Sequence, residues 1–472
     1  MRSTKKLVFL FFSIFLICNV TIISINAQKQ AKNNLESEAG DTSQIQSYAV
    51  AINSINNVHV VYNKQIQIHN SLEYIYTGSN FEWNLTASIV VEENSTLNIL
   101  GKPALVAASD RLQLVFAFSS NADNGLIMME KLYSAKTWSS KFIQRNGSFQ
   151  YLDPVLVRNS SNEDLWLCWR DNSEASYKMF FSVYNNTSGM WSNVSRLTEP
   201  SGGNSTDCKF ILDSSGNAHF VWSEGELNHE RILYREVFWN GTKTPVEYLT
   251  DGANRCRYPE IIIDSYNDLN IFWSNYTVVN PGIILGTQNI QSIRKAFSGT
   301  WSDPFYVAPY LPPERPPGGA SDARLPSITM DLDNNLLLVY EIRELYSYHQ
   351  GIDLRARSGY NDWQASERIC LANNPAIDPF IKCDSNGNLH CFWLDLRNSN
   401  YELYYRLKLN NGIWTNEIRL TLDIATFGGY WYLILIVTGV VVLVALPAFI
   451  LDRIRARRQS KILKKKITDL QE

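Results

Sequence analysis

The stretch DSNGNLHCFWLD, residues 384–395, returns in altered form along the middle of the chain, and this repetition constrains the fold more than any other feature. DSSGNAHFVWSE (213–224) is nearly the same text, and DSYNDLNIFWSN (264–275) and DLDNNLLLVYEI (331–342) are looser copies. NEDLWLCWRD (162–171), SDRLQLVFAF (109–118) and INNVHVVYN (55–63) are more diverged. Aligning the last aromatic of each gives Tyr62, Phe116, Trp169, Trp222, Trp273, Tyr340 and Trp393, separated by 54, 53, 53, 51, 67 and 53 residues. Periods of this size indicate a repeat architecture.

The last copy shows what one unit contains. Asp378 to Cys383 alternates and predicts a first strand, A; Asp384–Asn388 predicts a tight turn in which Gly387 takes a positive φ. Leu389 to Leu394 predicts strand B, and its near-continuous apolar run suits a strand buried on both faces. Tyr401–Lys408 predicts strand C, 410–414 a second turn, and Glu417–Thr421 strand D. A second mark keeps step with the first. Trp83, Trp138, Trp191, Trp301, Trp363 and Trp414 follow the strand-B aromatics by 21, 22, 22, 28, 23 and 21 residues, and the fourth unit alone carries Lys243 instead. One small sheet cannot bury both faces, but seven packed radially can, which predicts an all-β, seven-bladed β-propeller over residues 45–423. An array of immunoglobulin-like sandwiches would need about 100 residues per unit, roughly twice this period.

The ends of the chain predict export and anchoring. Arg2, Lys5 and Lys6 precede an apolar run ending near Ile17, and Ala27 closes a signal-peptide pattern over 1–27, with an uncleaved anchor as the alternative. A polar linker covers 28–44. Residues 430–451 carry no charge, enough at ~1.5 Å per residue to cross a ~30 Å bilayer core. A linker, 424–429, precedes this predicted C-terminal transmembrane helix. The basic tail, 452–472, has eight Lys or Arg and marks the cytoplasmic side. The whole chain is −3; residues 1–27 contribute +3 and 452–472 contribute +5, so 28–451 carry −11. An acidic ectodomain argues against nucleic acid as partner. The expected location is the plasma membrane, single-pass, with the propeller outside.

Six cysteines remain after the predicted signal: Cys168, Cys208, Cys256, Cys370, Cys383 and Cys391. Their spacing leaves the pairing open and offers no CxxC for zinc. Between Asn84 and Thr277 ten Asn-x-Ser/Thr sequons stand at Asn84, Asn94, Asn146, Asn159, Asn185, Asn186, Asn193, Asn204, Asn240 and Asn275, with none after them, as suits a glycoprotein whose later third is bare.

W-x-D-x-R-x-x-x-Y-E-L-Y-Y-R (393–406) followed by N-G-I-W-T-x-E-I-R-L-T (411–421) resembles repeats of the sialidase-like propeller superfamily. The turns Gly189/Trp191, Gly299/Trp301 and Gly412/Trp414 are similar to that superfamily's Asp-box, shortened. The resemblance implies the propeller fold; it does not carry activity. Sialidases typically have six blades and open their arginine clamp in the first, whereas no arginine lies between Ile45 and Ser109 here. No catalytic residue is therefore carried over. Neither GxSxG, HExxH nor a phosphate loop occurs, and no cofactor or metal is expected.

Ligand-binding candidates follow strand B, on the face where B–C loops and D–A connections emerge: Arg170, Asp171, Glu224, Glu341, Arg343, Asp395 and Arg397. Carboxylate and guanidinium beside tryptophan can hold a sugar or a carboxylate. The same pairs can equally pin each loop by a local salt bridge. The long segments 275–286 and 309–319 fall on the same face, as ligand loops or as spacers. His59, His219 and His390 share one repeat position and read as core histidines; Asp331–Asn335 resembles a calcium loop but sits at an A–B turn. The expected function is recognition of glycans or a protein partner at the cell surface. A glycoside hydrolase or lyase ectoenzyme, or a structural envelope component, is the alternative.

Overall fold

The computed structural model describes residues 43–421 apart from short internal segments, the longest being 278–287 and 309–320. The segments 1–27, 424–429, 430–451 and 452–472, and most of 28–44, lie outside the described residues. Every regular element among the described residues is a strand, so none is a helix long and apolar enough to cross a membrane.

The seven repeats form seven antiparallel sheets, spanning 43–92, 98–145, 151–196, 204–248, 255–308, 321–368 and 376–419. Each uses consecutive strands in the order A-B-C-D, and blade three splits its last strand into two short pieces. The first strands of successive blades touch one another, which puts strand A innermost around the axis. In blade seven, strand A runs Ala376–Cys383, B Leu389–Asp395, C Glu402–Lys408 and D Ile418–Arg419, close to the expected bounds. Asp384–Asn388 is the expected turn: Gly387 has φ +80°, and the Asp384 carboxylate accepts the N–H groups of Asn386 and Asn388 at 2.9 and 2.8 Å.

The core lies between blades, not within them. The strand-B aromatics are buried, from 3% exposed at Tyr62 to 0% at Trp222, Trp273, Tyr340 and Trp393. Each packs in an apolar cluster shared with the preceding blade; Trp393, for example, sits with Leu337, Val339 and Ile352 of blade six. The turn tryptophans serve the same interfaces. Trp301 meets Tyr234 edge-on at 5.1 Å, Trp363 meets Phe272 at 5.9 Å, and Trp414 donates its indole N–H to Glu367 of blade six at 2.6 Å. Lys243, which replaces the tryptophan in blade four, keeps the role by donating to Ser195 Oγ and the Arg196 carbonyl of blade three at 2.9 and 2.8 Å.

Strand-C arginines add a clamp that the repeat pattern did not reveal. Arg235 and Arg406 each donate to a carbonyl of their own C–D turn and to a strand-D carbonyl of the preceding blade, Leu197 at 2.5 Å and Ile369 at 2.8 Å. Arg355 does the same with Gln364 and Val307.

The ring closes without exchanging strands, since blades one and seven are each built from contiguous chain. Closure rests on side-chain packing of Ile45, Tyr48, Val60 and Tyr62 against Phe392, Leu394, Leu403 and Tyr405. Hydrogen bonds fix the register, among them Ile45 N–H to the Tyr401 carbonyl at 2.8 Å and the Tyr48 hydroxyl to the Asp378 carbonyl at 2.5 Å. Tyr48 is 1% exposed, so its hydroxyl has no water to fall back on. Tyr48→Phe should therefore lower stability by about 1–2 kcal/mol through the orphaned carbonyl. A urea midpoint equal to that of the parent chain would show that the closing hydrogen bond contributes nothing.

Candidate functional site

Residues one and two places after the strand-B aromatic point to opposite sides of the sheet, because side chains alternate along a strand. This parity divides the seven sequence candidates. Asp171, Glu224 and Asp395, two places on, lie on the tryptophan's side and accept its indole N–H: Trp169 to Asp171 at 3.0 Å, Trp222 to Glu224 at 3.1 Å, Trp393 to Asp395 at 3.1 Å. All three are buried. Asp395 also takes both the backbone N–H (2.9 Å) and the guanidinium (2.6 Å) of Arg397, whose other arm reaches Glu417 at 2.6 Å while its plane covers Tyr404. Cys370, between blades six and seven, also donates to Asp395 and accepts from Arg397. These four candidates pin the B–C loops.

Arg170, Glu341 and Arg343 belong to a different environment, created by a bulge near the start of each inner strand. The A–B register slips at this point in all seven blades. In six of them the bulged residue has a left-handed backbone: Gly101, Asp153, Asp207, Tyr258, Leu325 and Asp378, with φ between 49° and 68°. Bulges re-aim side chains. Pro154, Pro259, Pro326 and Pro379 follow four of these residues, and a missing N–H is tolerated where the ladder is already interrupted. An X-Pro inside four of the inner strands is the sequence signal for this feature.

Around these bulges charges gather from blades on different sides of the ring. Lys102 of blade two reaches over the Tyr48 ring to Asp378 of blade seven at 3.1 Å. Arg170 pairs with Asp153 at 2.6 Å, Arg257 of blade five with Asp207 of blade four at 2.5 Å, and Lys209 of blade four with Glu260 of blade five. Arg324 pairs with Glu341 at 2.6 Å. These ten groups carry five charges of each sign. Several stay open to water, with 47% of the Lys102 side chain and 42% of Lys209 accessible. Burial works against the charge on Lys209, but Glu260, Asp378 and Asp207 hold its ammonium above the ordinary range.

Blade six is where this ring is least satisfied. Burial pushes the Glu341 carboxyl up, against the pull of Arg324 and Arg343. Its Oε2, the Nε of Arg324 and the Nε of Arg343 are buried without hydrogen-bond partners, and among the described residues Arg343 makes no ion pair. Asp322 is also raised by burial, and the Tyr276 hydroxyl lies within electrostatic reach of Arg324, Glu341 and Tyr258. The result is two guanidinium groups, two carboxyls that retain a proton more readily than usual, and two tyrosine rings at one edge of the channel.

Other sequence candidates resolve into framework. His59, His219 and His390 each bond a tyrosine hydroxyl through Nδ1, Tyr74, Tyr234 and Tyr405, at 2.9, 2.7 and 3.0 Å. Burial lowers His59 to about 4. Glu236 brings a third potential ligand within 4.8 Å of Asp213 and His219, but the histidine bonds its tyrosine as its two siblings do. Asp331–Asn335 is an ordinary turn, with Asp331 bonded to the N–H groups of Asp333 and Asn335. The Asn275 sequon is corrected: its side chain is 3% exposed and no glycan fits there. Asn84, Asn185, Asn186, Asn193, Asn204 and Asn240 are exposed and Asn159 is half-buried, while Asn94 and Asn146 lie outside the described residues. So do segment 309–319 and most of 275–286.

No family model and no curated protein matches the chain. Among solved structures, a Dyadobacter fermentans protein of unknown function is 9% identical over 67% of this chain and 95% of its own, with a TM-score of 0.45. A polysaccharide lyase, an ulvan lyase with bound saccharide, is 10% identical over 69% and 85%, with a TM-score of 0.49. An α-L-arabinofuranosidase from Fusarium graminearum is 11% identical over 63% and 88%, with a TM-score of 0.43. At these identities and TM-scores the likenesses assign no activity, and the sialidase-like resemblance stands on its motifs alone.

The buried carboxylates are open to a direct check. Asp395→Ala strands the Arg397 guanidinium and the Trp393 indole N–H, and should cost about 3–5 kcal/mol, as breaking a buried pair does. Asp395→Asn, which can still accept from the indole, should cost less. Equal denaturation midpoints for Asp395→Ala and the parent chain would remove the pinning role.

Proposed function

We propose that the propeller recognises an anionic glycan at the mouth of its channel, on the blade-six side. The observation that carries this is the trio Arg324, Glu341 and Arg343, with partnerless buried polar atoms beside a water-accessible ring of ion pairs. Buried polar atoms are normally satisfied, so a cluster of exceptions calls for a missing partner. A guanidinium presents a planar fork suited to a carboxylate or sulfate. Tyr258, half-buried at the bulge of blade five, supplies a ring face and a hydroxyl for the sugar body.

Binding should distinguish uronate-bearing oligosaccharides from neutral ones of the same length. Arg343→Ala should weaken the anionic ligand by tenfold or more, about 1.4 kcal/mol, and leave the fold intact. Isothermal titration showing equal affinity for both ligand types, or an unchanged Arg343→Ala, would sink the proposal.

A second reading, cleavage of the bound glycan, is favoured by one observation: burial raises the Glu341 carboxyl above the ordinary carboxylate range, so that it holds its proton more readily, as a general acid must. In that case Glu341→Gln abolishes release of reducing or unsaturated ends while retaining binding.

The cellular setting extends the proposal on sequence grounds. The uncharged run 430–451 and the basic tail support a single-pass plasma-membrane protein with the propeller outside, and the pattern over 1–27 supports export. The full chain should then stay with membranes through alkaline carbonate extraction. Release into the supernatant would count against the anchor.

A further inference from the structure

The inner-strand bulges differ at one position in a way that the channel does not use. Blades three, five, six and seven follow the bulged residue with Pro154, Pro259, Pro326 and Pro379, but blade four places Cys208 after Asp207. The neighbouring strand B of blade three carries Cys168 just before its aromatic. The two sulfurs face each other across the interface, 3.3 Å apart, within the apolar cluster that joins blades three and four. Cys168 is 0% and Cys208 4% exposed. Elsewhere the thiols turn to oxygen: Cys256 to Asn275 Oδ1, Cys370 to Asp395 Oδ2, Cys383 to the Asp384 carbonyl. Among the described residues no other pair of sulfurs is in contact.

The geometry points to a Cys168–Cys208 disulfide that staples blade three to blade four when the chain folds in the presence of a disulfide oxidant. The sulfurs need approach by only about 1.2 Å to reach bonding distance, a movement that side-chain rotation supplies. The chemistry is exchange. One thiolate attacks oxidised glutathione and releases one glutathione thiol. The second thiolate attacks the mixed disulfide and releases the other. Two protein thiols are oxidised and one glutathione disulfide is reduced to two thiols. Both sulfurs are enclosed in the finished ring, so the bond must form before blades three and four close on each other. It links strands that share no backbone ladder, and so adds a covalent bond to an interface of the kind that packing and polar contacts hold elsewhere. Its formation in the cell rests on the export proposed above; the sulfur geometry does not.

The test is cell-free synthesis of the full chain with and without an oxidised/reduced glutathione buffer. Denaturation in N-ethylmaleimide and peptide mapping follow. With the buffer, the Cys168 and Cys208 peptides should appear linked, and Cys256, Cys370, Cys383 and Cys391 alkylated. Without it all six should be alkylated. The chain folded with oxidant should melt a few degrees higher than without, and the Cys168→Ala/Cys208→Ala chain should show no such difference. Alkylated Cys168 and Cys208 in the redox buffer, or either one linked to another cysteine, overturns the staple. The same mapping on protein from its producing cells separates the two readings. A link there supports both staple and export, whereas free thiols there with a link in the cell-free buffer overturn export alone.

Discussion

A four-stranded sheet with two apolar faces has nowhere to hide them except against copies of itself, and everything else in this molecule follows from that packing. The apolar clusters among the described residues lie at seven interfaces, each shared by consecutive blades, including one between blades seven and one. No blade owns a core. Closure is consequently a packing event and not an exchange of strands, and Tyr48 stands where the first blade meets the last. The hydrophobic gain of the final interface, at about 25 cal/mol per Å² of apolar surface, must offset the loss of freedom of both chain ends.

Radial packing also decides what the conspicuous polar residues do. A carboxylate beside a tryptophan looks like ligand chemistry, yet Asp171, Glu224 and Asp395 accept the indole N–H of their own strand. A buried indole N–H needs a partner, and in blades three, four and seven the acid two residues along the same face supplies it. The histidines meet tyrosine hydroxyls from strand C for the same reason. Repetition itself is informative: a polar group that recurs at one position in several blades serves the repeat. Blade six differs from blades three, four and seven: its acid, Glu341, directly follows Tyr340 and so sits on the opposite face, paired with Arg324.

The channel mouth depends on the bulges. A regular inner strand would direct alternate side chains only at the two neighbouring blades. The left-handed residue interrupts that alternation and lets Asp153, Asp207 and Asp378 meet bases carried by other strands. Balanced charges in a water-accessible ring avoid the desolvation cost of a lone buried ion.

How much of this could be read without coordinates differs sharply between fold and site. Periodicity is a one-dimensional property, so the recurrence of Trp393-like and Trp414-like positions determined the blade count, the strand order and the turns from the sequence alone. Burial of His390 and the turn at Asp384–Asn388 followed from the same comparison among siblings. The site was only partly legible. Arg170, Glu341 and Arg343 were visible as residues after strand B, but nothing local separated them from Asp171, Glu224, Asp395 and Arg397, because only the direction of each side chain relative to the axis does so. Lys102 and Asp378 are 276 residues apart in the chain and 3.1 Å apart in the ring. Such pairs exist only after closure. The tertiary structure alone decided which charges face the channel, which sulfurs face each other, and which strand-B acids are framework, because each depends on how one blade is set against the next.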